Sequence, residues 1–542
     1  MLEGLMQHDY PLTIQVLLDR MRLLYADSEV VSVRGGERTR ASYGQVLERA
    51  ERLSGALEKL GVKRGDRVAT FAWNTREHLE AYLAVPCMGA VLHTLNVRLF
   101  ADQLTYIVNH ADDRVILVED SLVPVLEPLV PTFETVEHYV VIGDQTAGEL
   151  PNAKSYEELI DAQSPGYDYP QLDDREAAGL CYTSGTTGHP KGVLYSHRSN
   201  ILHALGECMA DSIGMTSDDR VMPVVPMFHA NAWGIPYACT MTGADLVLPG
   251  ANLKPEALAN LIEEERVTLS AAVPTIWMDL LRYADEHQPD LSSVRLVICG
   301  GSAVPLSLMQ QFEERHNMRI VQAWGMTETS PLGSVARPPH GATEEEHWRL
   351  RATAGRPSGL VEARLIRDGG EEVPWDGAST GELEVRGPWV VREYYKDDES
   401  EAKFNDGWLR TGDIAAIDER GYIMISDRAK DVIKSGGEWI SSVNLEIEIM
   451  AHPKVQEAAV ISMPHERWGE RPLACVVLEP QADLTLDELN EHLAARVAKW
   501  SLPDELAIVD EVPKTSVGKF DKKVLRRHLE EGRLERVGAA PG

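Results

Sequence analysis

The segment YTSGTTGHPKG, at residues 182–192, concentrates residue types that bind phosphate. Its glycines allow backbone conformations in which successive N–H groups point into one concavity. The hydroxyl, glycine and lysine residues concerned are Thr183, Ser184, Gly185, Thr186, Thr187, Gly188 and Lys191. Although the P-loop spacing G-x-x-x-x-G-K-[ST] is absent, this composition predicts a loop that wraps the β- and γ-phosphates of a nucleotide. A solvent-exposed connector is the alternative for a generic loop of this composition.

Six further segments with conspicuous polar, glycine and aromatic content follow this loop. They are PMFHANAWG (226–234), CGGSAVP (299–305), QAWGMTETSP (322–331), WLRTGD (408–413), DRAKDVIKSGGEWIS (427–441) and PKTSVGKFDKK (513–523). In this order they resemble the signature motifs of the adenylate-forming superfamily, in particular of acyl-CoA synthetases. The nearest resemblance is to bacterial medium- and long-chain fatty acyl-CoA synthetases.

The resemblance implies a two-step reaction that uses ATP, Mg²⁺ and CoA. A carboxylate attacks the α-phosphate of ATP, which gives an acyl-adenylate and pyrophosphate. The thiol of CoA then attacks the adenylate, which gives the thioester and AMP. The protein then mainly supplies alignment and charge stabilisation rather than covalent chemistry.

The resemblance also assigns residues to the metal and the nucleotide. Glu328 and Thr183 correspond to the Mg²⁺ contributors, a small oxygen set that suits a cation held mainly by phosphates. Asp413 corresponds to the aspartate that accepts hydrogen bonds from both ribose hydroxyls, and Trp324 to the aromatic residue beside the adenine. Further implied nucleotide contacts are Gly301, Gln322, Ala323, Thr327, Arg428 and Lys430. Ala323 stands where the family usually has glycine, so its methyl group is expected to narrow the nucleotide slot.

Two basic residues near the C-terminus are implied to be catalytic. Lys519, which follows Gly518, resembles the mobile lysine that bridges the substrate carboxylate and the α-phosphate. Lys434 and Trp439 lie in the segment KSGGEWIS, which is expected to contact the nucleotide and to serve the CoA step. Both segments lie in one small domain but serve different steps, so the sequence predicts a rotation of that domain about Asp427–Arg428.

The segment PMFHANAWG is implied to form the entrance of the acyl pocket. His229 resembles a catalytic histidine that admits the carboxylate, although a lone histidine is more often structural. Trp233 resembles an aromatic gate over the acyl tunnel. The expected pocket lining is completed by Val273, Gly300 and Met326.

The hydrophobic pattern predicts the elements that position these residues. Apolar runs at 67–73, 114–120, 139–144, 220–227, 245–250 and 295–301 alternate with amphipathic stretches such as 42–62 and 103–113. Strands alternating with helices predict an α/β fold with mostly parallel sheets. We therefore expect a large N-terminal AMP-binding domain of layered α/β sheets plus a small β unit over 1–427. A small mobile α+β C-terminal domain is expected over 428–542, with a helix that begins near Thr485.

Composition restricts the partners of the chain. Its 542 residues carry a formal net charge of −32. A surface with this excess of negative charge repels nucleic acid and anionic lipid. There is no apolar run long enough for a membrane span and no signal-like N-terminus, and the six scattered cysteines favour free thiols in a reducing cytoplasm. The expected partners are a small carboxylic acid, ATP and CoA, and the resemblance implies a homodimer.

Two alternatives remain open at this point. The chain resembles ligases of short, sulfur-containing or aromatic acids, such as methylmercaptopropionate-CoA ligases, as well as fatty-acid ligases. A non-catalytic nucleotide-binding protein is the alternative of another class, and it is disfavoured because Thr183, Glu328, Asp413, Lys434 and Lys519 are all present.

Replacing Lys519 with alanine tests the mechanism. One charge at an effective dielectric constant near 20 is worth about 2–4 kcal/mol, so adenylation is expected to fall by roughly 10²–10³-fold. Transfer of CoA to a supplied acyl-adenylate is expected to persist, because the lysine serves only the first step. Lys514→Ala and Lys522→Ala are the comparison variants, and an equal loss in all three would contradict the assignment of Lys519.

Overall fold

The computed structural model describes residue 2 and residues 4–143, 148–183, 189–367, 369–397, 400–428, 431–435, 438–494, 496–514 and 520–538. At 438, 439 and 538 only the backbone is described.

The α-helices are α1 Gln15–Leu23, α2 Tyr43–Lys59, α3 Arg76–Cys87, α4 Ala101–Ala111, α5 Val123–Leu126, α6 Tyr156–Asp161, α7 His197–Cys208, α8 Ile235–Thr242, α9 Pro255–Glu265, α10 Pro274–His287, α11 Leu306–His316, α12 Glu344–Arg351, α13 Ser442–Met450, α14 Leu486–Leu493 and α15 Lys522–Glu530.

The strands are β1 Glu29–Arg34, β2 Glu37–Ser42, β3 Arg67–Phe71, β4 Val91–Thr94, β5 Asp113–Glu119, β6 His138–Ile142, β7 Lys154–Ser155, β8 Ala177–Tyr182, β9 Gly192–Ser196, β10 Arg220–Pro223, β11 Asp245–Leu248, β12 Leu269–Ala272, β13 Leu296–Gly300, β14 Ile320–Gly325, β15 Leu332–Val335, β16 Arg356–Pro357, β17 Glu362–Ile366, β18 Gly381–Arg386, β19 Phe404–Asn405, β20 Trp408–Ile417, β21 Ile423–Arg428, β22 Ile433–Ser435, β23 Glu438–Ile440, β24 Val455–His465, β25 Gly469–Leu478, β26 Glu505–Ile508 and β27 Arg536–Gly538.

Two mostly parallel sheets form the larger part of the molecule. One has the strand order β7-β6-β5-β3-β4-β8-β9, and the other β16-β15-β14-β13-β12-β10-β11-β1-β2. In the first sheet only the β8–β9 pair is antiparallel. The second sheet is parallel from β14 to β1 and antiparallel at both ends. Their apolar strands are buried on both faces, as parallel sheets require.

A third sheet, of order β17-β18-β20-β19 with β21 beside β20, is antiparallel. One continuous apolar cluster runs through all three sheets, from Leu92 and Val140 through Val221 and Ile298 to Leu383. We call these elements, α1–α12 and β1–β21, the three-sheet unit. The predicted α/β layers and small β unit are therefore confirmed.

The C-terminal unit comprises α13–α15 and β22–β27. Its sheet has the order β23-β22-β25-β26-β27, and β24 pairs antiparallel with β25. Its apolar residues form two clusters of their own, one around Ile433 and Leu489 and one around Ile461 and Leu525. A core of its own is the mark of an independently folding domain. The predicted boundary at 427–428 falls at the end of β21 and stays a prediction.

Local sequence explains individual helices. Ser42 caps α2 with a reciprocal capping box to Gln45, and the buried positions of this helix follow a helical period. Thr485 caps α14 by accepting a hydrogen bond from the Glu488 amide, where the sequence predicts the start of that helix. All six cysteines are free thiols, and five of them are buried.

Gly355 joins the nine-stranded sheet to the small β unit through a bridge to Ile423, and its replacement tests the packing at this junction. It has φ +87°, and a Cβ there would lie 2.0 Å from the Val335 carbonyl carbon. Gly355→Ala is expected to lower the free energy of unfolding by about 4 kcal/mol or more, since backbone overlap adds to the strain.

Gly36→Ala is the matched control, because Gly36 has φ +88° and open space around it. This substitution is expected to lower the free energy of unfolding only by the strain of the left-handed backbone conformation, about 1–2 kcal/mol. Urea unfolding followed by tryptophan fluorescence compares the two, and equal costs would contradict the packing explanation.

Candidate active site

A large cleft of about 1800 Å³ lies beside the carboxyl ends of adjacent parallel strands. His229 follows β10, Val273 follows β12, Gly300 ends β13 and Trp324 is near the end of β14. These four strands are consecutive neighbours in the sheet, and parallel sheets bring residues at their carboxyl ends together at one edge. The topology therefore explains how four distant motifs reach one site.

Most of the residues singled out from the sequence line this cleft. They are Thr183, Lys191, His229, Trp233, Val273, Gly300, Gly301, Gln322, Ala323, Trp324, Met326, Thr327, Glu328, Asp413, Arg428 and Lys434. The other residues lie outside what the structure describes: Ser184, Gly185, Thr186, Thr187, Gly188, Lys430 and Lys519. For Trp439, in β23, only the backbone is described, and its neighbour in the β22–β23 register is Lys434.

The two ends of the phosphate-loop segment are joined to each other. The Thr183 amide donates to the Lys191 carbonyl over 2.9 Å, and the Lys191 amide donates to the Thr183 hydroxyl over 3.0 Å. These bonds continue the antiparallel β8–β9 pair. The described ends of the segment, Thr183 and Lys191, therefore leave and rejoin the sheet at one point.

Lys191 is held beside the acidic end of the cleft. Its Nζ lies 2.6 Å from Asp397 Oδ2 and 4.8 Å from the ring centre of Tyr394. The Tyr394 hydroxyl donates to Glu328 Oε1 over 2.8 Å. Burial, with the Glu328 charge as the next cause, raises the pKa of Tyr394, so the phenol stays a proton donor to that carboxylate. Lys191, Tyr394 and Glu328 thus form one connected polar group.

Asp413 is a buried carboxylate with fixed orientation. It is only 2% exposed; Trp324 Nε1 donates to its Oδ2 over 2.9 Å, and Arg428 Nε lies 2.7 Å from its Oδ1. A carboxylate can accept about four hydrogen bonds in all. Two oriented oxygens beside an indole ring suit a ribose next to an adenine.

Trp324 is positioned by close packing on a glycine. A Cβ at Gly333 would lie 2.4 Å from the indole Cζ3, so a larger residue at 333 would push the ring into the cleft. Gln322, by contrast, has both ends of its amide in backbone bonds, accepting from Val304 N and donating to Thr353 O. These bonds fix the turn that carries Gly301, whatever contact Gln322 makes with a nucleotide.

Trp233 lies at the end of an unusual left-handed turn. Ala230, Asn231, Ala232 and Trp233 have φ between +43° and +59°, and Gly234 has φ +81°. Such residues each cost roughly 1–2 kcal/mol relative to ordinary backbone. The turn places the indole against Gly300, where a Cβ would lie 3.4 Å from Trp233 Cη2.

Buried amide side chains hold this turn and its approach. Asn231 is 3% exposed, and its Oδ1 accepts from Tyr82 Oη and Cys181 Sγ, each over 3.3 Å. Asn74 donates to the carbonyls of Pro223 and Val225 and accepts from the Met227 amide. The strained backbone is therefore stabilised by hydrogen bonds to neighbouring elements.

The oxygen donors present fit the expected Mg²⁺. Glu328 and Thr183 line one cleft and offer a carboxylate and a hydroxyl, the hard oxygen ligands that this ion prefers. Within the described ranges there is no cluster of three or more His, Cys, Asp or Glu residues that would form an all-protein metal site. A site built from these two residues would need further oxygen ligands, which phosphates could supply.

Sequence patterns gave no indication of several residues of the site. Tyr394 and Asp397 lie in REYYKDD, between recognised motifs, and reach Glu328 and Lys191 only through the fold. Lys434 was expected at the site and lines the cleft from β22, where its amide donates to Glu470.

Comparison with known proteins gives a consistent set of similarities. Residues 23–395 match the family model of the AMP-binding enzymes, and residues 444–519 match the model of the AMP-binding enzyme C-terminal domain. The chain is 47% identical over 525 residues to a long-chain-fatty-acid–CoA ligase of Thermus thermophilus, covering 96% of each chain. It is 44% identical over 529 residues to a 3-methylmercaptopropionyl-CoA ligase of Ruegeria lacuscaerulensis, covering 96% of this chain and 98% of the relative.

Among solved structures, the anthranilate CoA ligase AuaEII in complex with anthranoyl-AMP superposes with a TM-score of 0.88 at 27% identity. The alignment covers 97% of this chain and 99% of that one.

Trp324→Phe tests the bond between the indole and Asp413. The variant keeps an aromatic ring but removes the N–H donor, and a hydrogen bond to a charged group is worth about 1.5–3 kcal/mol. The KM for ATP is expected to rise about tenfold or more, with a smaller change in kcat. Trp500→Phe, at a position 46% exposed and away from the cleft, is the control; an unchanged KM for ATP in Trp324→Phe would show that the bond does not orient Asp413.

Proposed function

The chain belongs to the AMP-binding enzyme family and is an adenylate-forming acyl-CoA ligase that uses ATP and CoA, and we propose that its acid is a medium- or long-chain fatty acid. The observation that carries this proposal is the composition of the cleft. Its lining includes, besides Trp233, the apolar side chains of Ile213, Val225, Ile235, Met278 and Ile298. An apolar wall of this kind suits an aliphatic chain.

In the proposed first step, the carboxylate oxygen attacks the α-phosphorus and pyrophosphate leaves. Asp413 and Trp324 orient the ribose and adenine, while the 183–191 segment holds the phosphates. Thr183 and Glu328 would hold Mg²⁺, which would neutralise charge on the phosphates. His229 lines the path of the acid, and Lys519 brings a positive charge between the two reacting anions.

In the proposed second step, the sulfur of CoA attacks the acyl carbonyl carbon and AMP leaves. We assign this step to the segment that carries Lys434 and Trp439, and the domain division to residues 1–427 and 428–542. Asp427 supports a hinge there, because it ends the small β unit and yet accepts hydrogen bonds from Ser442 at the start of α13. Rotation about this point would exchange Lys519 for Lys434 at one site.

A second candidate acid is methylmercaptopropionate. It is favoured by the 44% identity over nearly the full length to 3-methylmercaptopropionyl-CoA ligases from two Ruegeria species. The polarisable thioether group of such an acid also packs well in an apolar pocket. Assembly as a homodimer and a cytoplasmic location stay predictions. None of the helices in the described ranges combines the length and apolar character that crossing a bilayer requires.

Pyrophosphate release across a panel of acids tests the proposed function. Straight-chain acids from acetate to stearate, benzoate and methylmercaptopropionate are compared with CoA and Mg²⁺ present. The proposal predicts that kcat/KM rises with chain length into the medium range, because each buried CH₂ contributes about 0.8 kcal/mol.

A maximum at methylmercaptopropionate would favour the second candidate. Lys519→Ala serves as the background control for each acid. No activity above that background with any acid would leave only nucleotide binding and would overturn the proposed fatty-acid activity.

A further inference from the structure

Glu207 is a buried carboxyl group that the proposed mechanism does not use. It lies in α7 and is 1% exposed. Its Oε2 has no hydrogen-bond partner among the residues that the structure describes. Buried polar atoms without partners are rare and destabilising, so the presence of this group calls for an explanation.

Glu207 lines the same cleft as the nucleotide and acyl residues, next to Ile213, Ile235 and Leu332. It packs beside Gly234, at which a Cβ would lie 3.3 Å from Oε2. Gly234 directly follows Trp233, whose indole lies against Gly300. The carboxyl group therefore lies beside the end of the Ala230–Gly234 turn, at a wall of the cleft that also has apolar residues.

The neighbouring polar group, His203, does not neutralise Glu207. It precedes Glu207 by one turn of α7, and its Nε2 accepts a hydrogen bond from the Leu332 amide over 3.1 Å. Burial lowers the pKa of His203 to about 3, so the imidazole is neutral with its proton on Nδ1. Burial also raises the pKa of Glu207 well above its usual range, which favours the protonated carboxyl group.

A protonated carboxyl group offers one O–H donor and one carbonyl acceptor. A hydroxyl group both donates and accepts, so it satisfies the carboxyl whichever oxygen carries the proton. A carbonyl oxygen can only accept a hydrogen bond, so it leaves the acceptor oxygen of the carboxyl group unpaired. An ammonium group would have to be transferred from water together with its charge, which is costly in free energy. An unsubstituted chain leaves the carboxyl unpaired.

We propose that Glu207 determines acid specificity by pairing with a hydroxyl group carried on the acyl chain, so that hydroxy fatty acids are preferred over unsubstituted ones. The proposal rests on the fatty-acid activity above. Such a chain would have to reach the wall of the cleft on which Glu207 lies, beside the turn that carries Trp233. The residue would then act in substrate choice, not in either chemical step.

The test measures kcat/KM for octanoate and for a series of hydroxyoctanoates with the hydroxyl at each carbon from C3 to C8. Wild type, Glu207→Gln and Glu207→Leu are compared by CoA-dependent pyrophosphate release. We expect at least one hydroxyl position to be preferred over octanoate by roughly tenfold. Leucine is expected to abolish that preference, and glutamine, which still donates and accepts, to retain part of it.

Leu205→Ala is the control for damage to α7, because Leu205 lies on the same helix and is 47% exposed. Its hydroxyl preference is expected to equal that of wild type. The proposal is overturned if wild type prefers no hydroxyl position, or if the preference is the same in Glu207→Leu. Octanoate turnover in wild type tests the fatty-acid activity separately, so the two failures are distinguishable.

Discussion

The constraint on which the structure depends is that two anions must meet inside a strongly acidic protein. The chain carries a net charge of −32, yet a carboxylate has to approach a triphosphate. Each acidic side chain at the nucleotide end of the cleft is held by a named donor. Arg428 and Trp324 hold Asp413, Tyr394 holds Glu328, and Lys191 holds Asp397. Asp413 and Asp397 are thereby oriented beside cations that offset their charge, and Glu328 is oriented by a neutral phenol.

Positioning these groups is the task of the parallel sheet. Motifs separated by some hundred residues meet because β10, β12, β13 and β14 end side by side. The small β unit supplies Asp413 from β20, and the C-terminal unit supplies Lys434 from β22. Ligand groups carried on strand ends are more rigid than those on loops, which suits a reaction catalysed mainly by alignment.

The sequence predicted the sheet elements and sixteen of the residues that line the cleft, because both leave local signals. Buried strands appear as apolar runs, and the motifs have recognisable composition at fixed spacing. Tyr394 and Glu207 leave no such signal. Tyr394 lies 66 positions from Glu328, and Glu207 looks like an ordinary solvated charge on a helix. Only tertiary packing shows that the Glu328 carboxylate accepts a hydrogen bond from Tyr394 and that Glu207 Oε2 is buried with no partner among the described residues.

The left-handed turn before Gly234 links the two halves of the cleft. Four strained residues persist only where the surroundings over-determine them, and here Tyr82 and Cys181 bind Asn231 from neighbouring elements. The backbone of this turn sets the direction of the Trp233 Cα–Cβ bond and so the region of the cleft in which the indole lies. The same turn ends at Gly234, which packs on His203 and Glu207. If a hydroxyl group on the acyl chain pairs with Glu207 as proposed, that pairing takes place beside the strained turn that carries the Trp233 indole, and the choice of acid would then be linked to the shape of the site where the acid reacts.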